Sequence, residues 1–340
     1  MNPENSRPLH ADQRANALIS IVIPMYNETA CLSSLFDQLL PVMETVRHRY
    51  EIICVDDGSS DDTVNDLRCW QSRIPDLNII SLSRNFGKES ALACGLDHAR
   101  GDAVIPLDAD LQDPPELIVQ LVDKWREGYD MVVATRRNRP GDSKLKRNTA
   151  SCFYKTMNRF SEVELPPHAG DFRLLDRKVV NALKDLPENT RFHKGLYAWV
   201  GFSTFFIEFE RPARSGGTTS WGYWKLWNYA LDGIFSFSTA PLRLWSYMGV
   251  ATACAGFIYA AYIIFRTLLL GIDVPGYASL LVLLLVTNGS ILVGIGVVGE
   301  YVGRVFSEVK NRPLYIVNSI EPAAAESRVL DDKVVRSVSL

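Results

Sequence analysis

The segment that decides the fold is Leu18–Pro24, with the sequence LISIVIP, followed at once by the motif Met25-Tyr26-Asn27-Glu28. Its run of β-branched residues ending at a proline predicts a buried strand. The next segment, Ala30–Arg47, places leucine, phenylalanine and methionine at helical spacing, and we predict a helix there. A buried strand followed directly by a helix is typical of a parallel sheet built from βαβ units.

The same alternation continues as far as residue 135. Further strands are predicted at Glu51–Val55, Leu77–Leu82, Ala103–Leu107 and Met131–Thr135, and helices at Gly87–Ala99, at Pro114–Arg126 and from about Ser60 onward. The predicted strands are continuous apolar runs, as in sheets that helices cover on both faces. We therefore predict an α/β fold with a mostly parallel, Rossmann-like sheet.

Two acidic clusters, Asp56-Asp57 and Asp108-Ala-Asp110, stand at the carboxyl ends of predicted strands. Ligands of open parallel sheets bind beyond this edge. Carboxylate oxygens suit Mg²⁺ or Mn²⁺, the ions that accompany a nucleotide diphosphate. A D-x-D pair by itself is a weak signal, because turns after strands often carry acids.

The C-terminal part of the chain is nearly free of charge between Leu244 and Gly299. Leu244–Phe265 and Tyr277–Gly299 are each long enough to cross a bilayer as a helix, and we predict a two-helix transmembrane hairpin. The preceding residues 221–243 are rich in tryptophan and predict amphipathic helices at the membrane interface. The alternatives are a buried amphipathic helix and, for the hairpin, two core helices of a soluble protein.

Charge also predicts the orientation of this hairpin. The N-terminal residues 1–17 are polar and lack the apolar core of a secretory signal, so we expect the catalytic domain in the cytoplasm. Cations flank both sides of the hairpin, which favours cytoplasmic placement of both termini. They are Arg211, Arg214, Lys225 and Arg243 before it, and Arg304, Lys310 and Arg312 after it. The net charge of −3 gives no support to nucleic-acid binding.

The predicted domain organisation has six parts. They are a polar extension at 1–17, a catalytic domain at 18–220, amphipathic juxtamembrane helices at 221–243, transmembrane helices at 244–270 and 277–303, and a cytoplasmic tail at 304–340.

Three motifs in order give the chain its family resemblance: P-x-Y-N-E at Pro24–Glu28, V-D-D-G-S at Val55–Ser59 and D-x-D at Asp108–Asp110. Together they resemble the GT-A glycosyltransferases of family 2. The resemblance implies a nucleotide-sugar site lined by Pro24, Tyr26, Glu28, Asp56 and Asp108. It also implies an Mg²⁺ or Mn²⁺ ion held by Asp108, Asp110 and Gln112, whereas Asp57 either joins the site or caps its turn.

Two further segments narrow the resemblance. Ser83–Glu89 (SRNFGKE), Gly170–Leu174 (GDFRL) and the paired helices are similar to polyprenyl-phosphate glycosyltransferases, which include dolichyl-phosphate mannose synthase and undecaprenyl-phosphate glucosyltransferases. This implies an integral protein of a bacterial inner membrane. It implies transfer of glucose from UDP-glucose to undecaprenyl phosphate, for modification of cell-envelope glycans. Lys88 stands where many relatives have histidine, and we assign it to the donor site.

A lipid phosphate is itself an anionic nucleophile, so the reaction needs positive charge more than a strong base. For the acceptor phosphate Arg173 is the first candidate, with Arg191, His193 and Lys194 as weaker ones. Asp171 matches the base proposed in the family. The alternatives are that it orients Arg173, or that it completes the site when metal binds. Direct displacement predicts inversion at the anomeric carbon.

Several alternatives stay open from the sequence. In the first alternative the donor is GDP-mannose or a UDP-aminoarabinose derivative instead of UDP-glucose. In the second the chain is a processive polysaccharide synthase, and in the third it is a membrane scaffold without activity. A homo-oligomer is a further alternative, since glycines on the second span permit close helix packing, between copies or against the first span. These glycines are Gly289, Gly294, Gly296, Gly299 and Gly303.

Overall fold

A computed structural model describes residue 14 and residues 16–136, 169–186, 188, 193–209, 240–270 and 276–323 of the 340-residue chain. The chain divides into two compact units. Described residues up to 209 and from Pro313 onward belong to the first unit, and those from 240 to Arg312 to the second.

The first unit alternates strands and helices, as the apolar periodicity predicts. Its strands are β1 (Leu18–Met25), β2 (Arg49–Asp56), β3 (Leu77–Leu82), β4 (Ala103–Pro106), β5 (Met131–Arg136), β6 (Ala169–Asp176), β7 (Thr204–Phe209) and β8 (Val317–Glu321). Its helices are α1 (Leu32–Val46), α2 (Thr63–Gln71), α3 (Lys88–His98), α4 (Leu117–Arg126), α5 (Arg177–Lys184) and α6 (His193–Trp199).

The eight strands form one sheet in the order β7-β5-β6-β4-β1-β2-β3-β8. The pairs β1–β2, β1–β4, β2–β3 and β5–β7 are parallel, whereas β4–β6, β5–β6 and β3–β8 are antiparallel. The predicted mostly parallel α/β sheet is confirmed.

Strand β1 shows why its sequence is apolar throughout. Ile19, Ile21 and Ile23 point to one face of the sheet, Ser20 and Val22 to the other, and all five are fully buried. Because successive side chains of a strand alternate between faces, both faces of the sheet are covered at this strand. This central strand carries Tyr26 and Glu28 just beyond its carboxyl end.

Strand β8 corrects the predicted domain boundary, which placed the whole segment 304–340 in a tail outside the catalytic domain. Val317–Glu321 pairs antiparallel with β3 at the edge of the sheet. The Arg68 guanidinium lies 2.7 Å from the Glu321 carboxylate, and the Ala323 amide donates to Asn78 Oδ1 at 2.9 Å. Hydrophobic periodicity did not reveal β8, because its partners lie about 240 residues earlier in the chain.

The second unit contains helices α7 (Ala240–Leu270) and α8 (Tyr277–Val309), so the predicted second span extends six residues past its predicted end at 303. Within the described residues, one stretch, Val286–Val309, is long and apolar enough to cross a membrane, with a mean hydropathy of 1.4. The first predicted span lies within α7, whose apolar side chains Phe257 and Leu268 are 77% and 80% exposed. Residues 221–239 of the predicted interfacial helices lie outside the described residues.

The two long helices pack against each other at one glycine. A Cβ atom built on Gly294 of α8 would collide with the indole ring of Trp245 on α7. Around Gly289, Gly296, Gly299 and Gly303 such an atom would meet nothing within 4 Å. Of the two packing roles considered for these glycines, Gly294 therefore serves contact within the protomer.

Candidate active site

The motifs that the sequence singled out meet at one edge of the sheet. Strands β4, β1 and β2 are neighbours and run parallel, so their carboxyl ends lie side by side. The segment Tyr26–Glu28 follows β1, the pair Asp56-Asp57 closes β2, and Asp108 and Asp110 follow β4. The structure thus brings the three motifs together where a ligand of such a sheet binds.

The turn after β1 is fixed on the turn after β2. The Asn27 amide donates to Ser59 Oγ at 2.8 Å, and Asn27 Oδ1 accepts from the Ser60 amide at 2.8 Å. The Glu28 amide donates to Thr63 Oγ1 at 2.9 Å. These bonds hold Asn27 in the left-handed region at φ 56° and leave the Tyr26 side chain 46% exposed beside the site.

The two adjacent aspartates have different partners. Asp56 is 2% exposed and accepts from the Ser59 amide at 3.2 Å. Asp57 accepts from the amides of Phe86 and Gly87 at 2.7 and 2.8 Å. Burial raises the pKa of Asp57, although these two N–H donors oppose the shift. Asp57 therefore anchors the backbone directly before α3, a role that extends the turn cap considered from the sequence.

Gly58 lies between these aspartates and the anchored segment, and its replacement is expected to be costly. It has a φ of +70°, and a Cβ atom would lie 2.6 Å from the Arg84 carbonyl carbon. Left-handed strain and overpacking together predict that Gly58→Ala lowers the free energy of unfolding by about 2–5 kcal/mol. Gly201→Ala is the matched control, since Gly201 has a similar φ of +68° but the atom nearest its Cβ position is the Trp199 carbonyl oxygen at 3.9 Å. Thermal unfolding of both variants measures the difference, and equal melting temperatures would contradict the packing argument.

Lys88 joins two of the predicted site carboxylates. From the first turn of α3 its Nζ atom lies 2.8 Å from the Asp108 carboxylate and 3.5 Å from that of Asp171 on β6. Burial acts to lower the pKa of Lys88, but the charges of Asp108 and Asp171 outweigh it and raise that pKa. Burial likewise raises the pKa of Asp108, against the opposing effect of Lys88.

The remaining carboxylates make the site strongly acidic. Asp110 is exposed, and its Oδ1 accepts from the Gln112 amide at 3.0 Å across Leu111, which has a φ of 53°. The pKa of Glu28 is raised by burial and, more weakly, by the charges of Asp110 and Asp108. A cation bound here would relieve this repulsion.

These residues fit a metal that is shared with a ligand. Among the described residues, no three Asp, Glu, His or Cys side chains form a cage of their own. Mg²⁺ commonly binds to one or two carboxylates and takes its other oxygens from water and substrate phosphates. Asp108 and Asp110 supply carboxylates of this kind, with Gln112 adjacent.

Arg173, the first candidate for the acceptor phosphate, is buried in the structure. Its side chain is 4% exposed, lies 3.9 Å over the ring of Tyr197, and donates to the Gly170 carbonyl at 2.6 Å. Burial lowers the pKa of Arg173. Its assignment to the acceptor stays a prediction, and so do those of Arg191, which is outside the described residues, and Lys194, whose side chain is not described.

A further contact near Arg173 joins a buried histidine to a partly exposed glutamate. His193 of α6 is 1% exposed, and its Nδ1 atom contacts the Glu89 carboxylate of α3. The ring of His193 also lies 5.8 Å from that of Tyr197. Glu89, the residue after Lys88, is therefore linked to α6. No sequence pattern indicated this contact, because Glu89 and His193 are 104 positions apart.

Comparison with known proteins decides the family. Residues 20–184 match the family described as glycosyl transferase family 2. An uncharacterised glycosyltransferase of Synechocystis sp. is 57% identical over 303 residues, which cover 89% of this chain and 95% of that protein. The chain belongs to glycosyltransferase family 2. It is therefore an enzyme of the transferase class.

The likeness of this family 2 glycosyltransferase to known proteins extends through its hairpin. Residues 240–305 match the family described as the GtrB C-terminal hairpin. A prophage-derived bactoprenol glucosyl transferase of Shigella flexneri is 47% identical, covering 88% of this chain and 97% of its own. A prophage bactoprenol glucosyl transferase homolog of Escherichia coli is 45% identical, covering 89% and 99%. The predicted resemblance to polyprenyl-phosphate glycosyltransferases is confirmed.

Proposed function

We propose that this family 2 glycosyltransferase transfers glucose from UDP-glucose to a polyprenyl phosphate, which is undecaprenyl phosphate in a bacterial inner membrane. The observation that carries the proposal is the 47% identity to a bactoprenol glucosyl transferase across 88% of the chain. That likeness takes in both the acidic edge of the sheet and the apolar hairpin. A soluble sugar donor and a membrane-bound acceptor require these two features together.

The donor site combines a nucleoside pocket with a metal site. Pro24, Tyr26, Glu28 and Asp56 line the nucleoside side, where Asn27 and Ser59 fix the turns. Asp108, Asp110 and Gln112 would hold Mg²⁺ or Mn²⁺, which would supply positive charge against the leaving diphosphate. The exposed face of Tyr26 suits contact with a planar base.

The transfer is a single displacement. An oxygen of the acceptor phosphate forms a bond to the anomeric carbon, the bond from that carbon to the diphosphate breaks, and UDP departs with the electron pair. A phosphate dianion has no proton to lose, so no general base is needed. The contact of Asp171 with Lys88 at 3.5 Å supports an orienting role for this carboxylate.

The sheet supports the proposed topology. Helix α7 follows the strands of the first unit along the chain, and α8 is followed by β8, which belongs to the same sheet. A hairpin whose two ends lead into one domain has both ends on one side of the membrane. The flanking cations favour the cytoplasmic side for the catalytic domain and both termini. Assembly into a homo-oligomer stays a prediction.

A transfer assay tests the proposal. Purified protein in detergent receives undecaprenyl phosphate and Mn²⁺ or Mg²⁺, with UDP-glucose, GDP-mannose, UDP-GlcNAc or a UDP-aminoarabinose derivative in parallel. We expect glycolipid from UDP-glucose, with a β linkage assigned from the proton coupling of the anomeric centre. An α product would contradict direct displacement.

The other outcomes separate the alternatives. Product from another donor alone would overturn the assignment of glucose but keep the reaction class. Polymer formed without added lipid would indicate a polysaccharide synthase. A protein that neither makes product nor binds UDP would be the membrane scaffold.

A further inference from the structure

We propose that Lys88 is an exchangeable counter-cation, which leaves Asp108 when the metal-bound donor binds and then binds the acceptor phosphate beside Asp171. This inference rests on the proposed function and deepens it. The sequence assigned Lys88 to the donor site, and this inference assigns it to the binding of the acceptor phosphate instead.

The position of the ammonium group is the first support. Lys88 Nζ lies 2.8 Å from Asp108, a predicted metal ligand, and 3.5 Å from Asp171, which is on a different strand. The Lys88 side chain is 46% exposed, whereas those of Asp108 and Asp171 are 30% and 28% exposed. The ammonium therefore lies between Asp108, a predicted ligand of the donor metal, and Asp171, the predicted base or orienting residue. It is also exposed to solvent, from which a ligand can enter.

Electrostatics supplies the reason for exchange. Lys88 provides the positive charge against Asp108 at 2.8 Å. A divalent cation at Asp108 would repel an ammonium held at the same carboxylate, since like charges a few ångströms apart near a protein surface repel each other strongly. Lys88 is thereby freed from Asp108 while Asp171 stays within its reach.

The acceptor needs a cation that it can reach. The anionic acceptor phosphate must approach the anionic donor, and the positive charge of the metal would be used to neutralise the donor diphosphate. Arg173 is 4% exposed, covered by Tyr197 and engaged with the Gly170 carbonyl. Lys88 meets the requirement without any rearrangement of the buried residues.

The backbone on both sides of Lys88 is fixed, so the exchange is a movement of the side chain alone. Asp57 holds the amides of Phe86 and Gly87 at 2.7 and 2.8 Å. Glu89 is held by the buried ring of His193. Rotation about the flexible lysine stem suffices to move the ammonium from one carboxylate to a neighbouring phosphate.

Two measurements on Lys88→Gln test this. Calorimetric titration with UDP and Mn²⁺ is expected to show donor affinity equal to wild type or up to about 10-fold tighter, because the competing cation is gone. In the transfer assay the KM for undecaprenyl phosphate is expected to rise at least about 10-fold, as for loss of a charged hydrogen bond. Lys88→Arg, which keeps the charge, is expected to restore much of the acceptor affinity.

Lys124→Gln is the matched control, because Lys124 forms an ion pair with Glu127 at 2.7 Å within one surface turn and has no part in the site. It should match wild type in both measurements. A fall of 10-fold or more in Mn²⁺-dependent UDP affinity in Lys88→Gln would overturn the proposal. It would show that Lys88 binds the donor, as the sequence analysis predicted. An unchanged acceptor KM would overturn it as well.

The design separates this inference from the proposed function. If the wild-type protein makes no glycolipid, the function fails, and the calorimetric comparison still tests whether Lys88 competes with the metal. If Lys88→Gln were to misfold, as judged by its melting temperature, the comparison of Lys88→Arg with wild type takes its place. Mn²⁺-dependent UDP binding at least 10-fold weaker in Lys88→Arg than in wild type would then overturn the exchange, because it would assign Lys88 to the donor.

Discussion

Replacing Asp110 with alanine is expected to lower turnover by about 10²–10³-fold or more, the scale at which one electrostatic contact to the transition state is lost. Asp110 is an exposed carboxylate at the carboxyl edge of the sheet, two residues beyond Asp108. Its loss leaves Asp108 alone, a carboxylate that already pairs with Lys88 at 2.8 Å. Glycolipid formation at saturating UDP-glucose measures the effect, and calorimetry measures the matching loss of Mn²⁺-dependent UDP binding.

A suitable control lies nearby in the same stretch of chain. Glu116→Ala also removes an exposed carboxylate, immediately before α4, and should keep wild-type turnover. Raising the Mn²⁺ concentration should recover part of the activity of Asp110→Ala, because a weakened site fills at higher metal. Full activity of the variant at ordinary metal concentrations would refute the assignment of Asp110 as a metal ligand.

A chain that ends at Arg312 is expected to lose about 3–5 kcal/mol of stability in its catalytic unit. This truncation removes β8, which pairs with β3 over residues 79–82 and 317–321, and each hydrogen bond is worth about 1 kcal/mol net. It also removes the Ile316 carbonyl, which accepts from the Ser83 amide at 2.9 Å. For a domain of this size the loss corresponds to a fall of roughly 6–20 °C in melting temperature.

Removal of β8 also exposes the edge of β3, whose six residues are all buried. An unprotected apolar edge invites pairing between chains, so the truncated protein should aggregate in detergent. A chain ending at Ala323 is the matched control, because it keeps every described contact of β8. Tryptophan fluorescence during heating and size-exclusion profiles compare the two. If both truncated chains melt together, β8 does not stabilise the sheet.

The class of fold could be predicted because its signal is local. Each apolar run such as Leu18–Pro24 fixes a strand, and each helical period such as Ala30–Arg47 fixes a helix, within a window of a few residues. The parallel order then places Asp56 and Asp108 at one edge without further information. The motif resemblance named the same residues independently.

The contacts among these residues could not be predicted in the same way. Lys88 and Asp171 are 83 positions apart, and Glu89 and His193 are 104 apart. Hydrophobic periodicity within a helix or strand does not predict such a contact, because the contact depends on how α3, β6 and α6 pack together in the fold. The burial of Arg173 under Tyr197 is of the same kind, and it changes how the acceptor site is understood.

The sheet-and-helix alternation, the acidic edge and the apolar hairpin could all be predicted from the sequence, because each depends on residues that are neighbours along the chain. The pairing of β8 with the sheet and the position of Lys88 between Asp108 and Asp171 became visible in the three-dimensional fold alone. The reason is the distance along the chain over which each kind of interaction acts. Hydrophobic periodicity acts within a turn or a strand, whereas charge pairing and edge pairing act through space between segments that the fold alone makes neighbours.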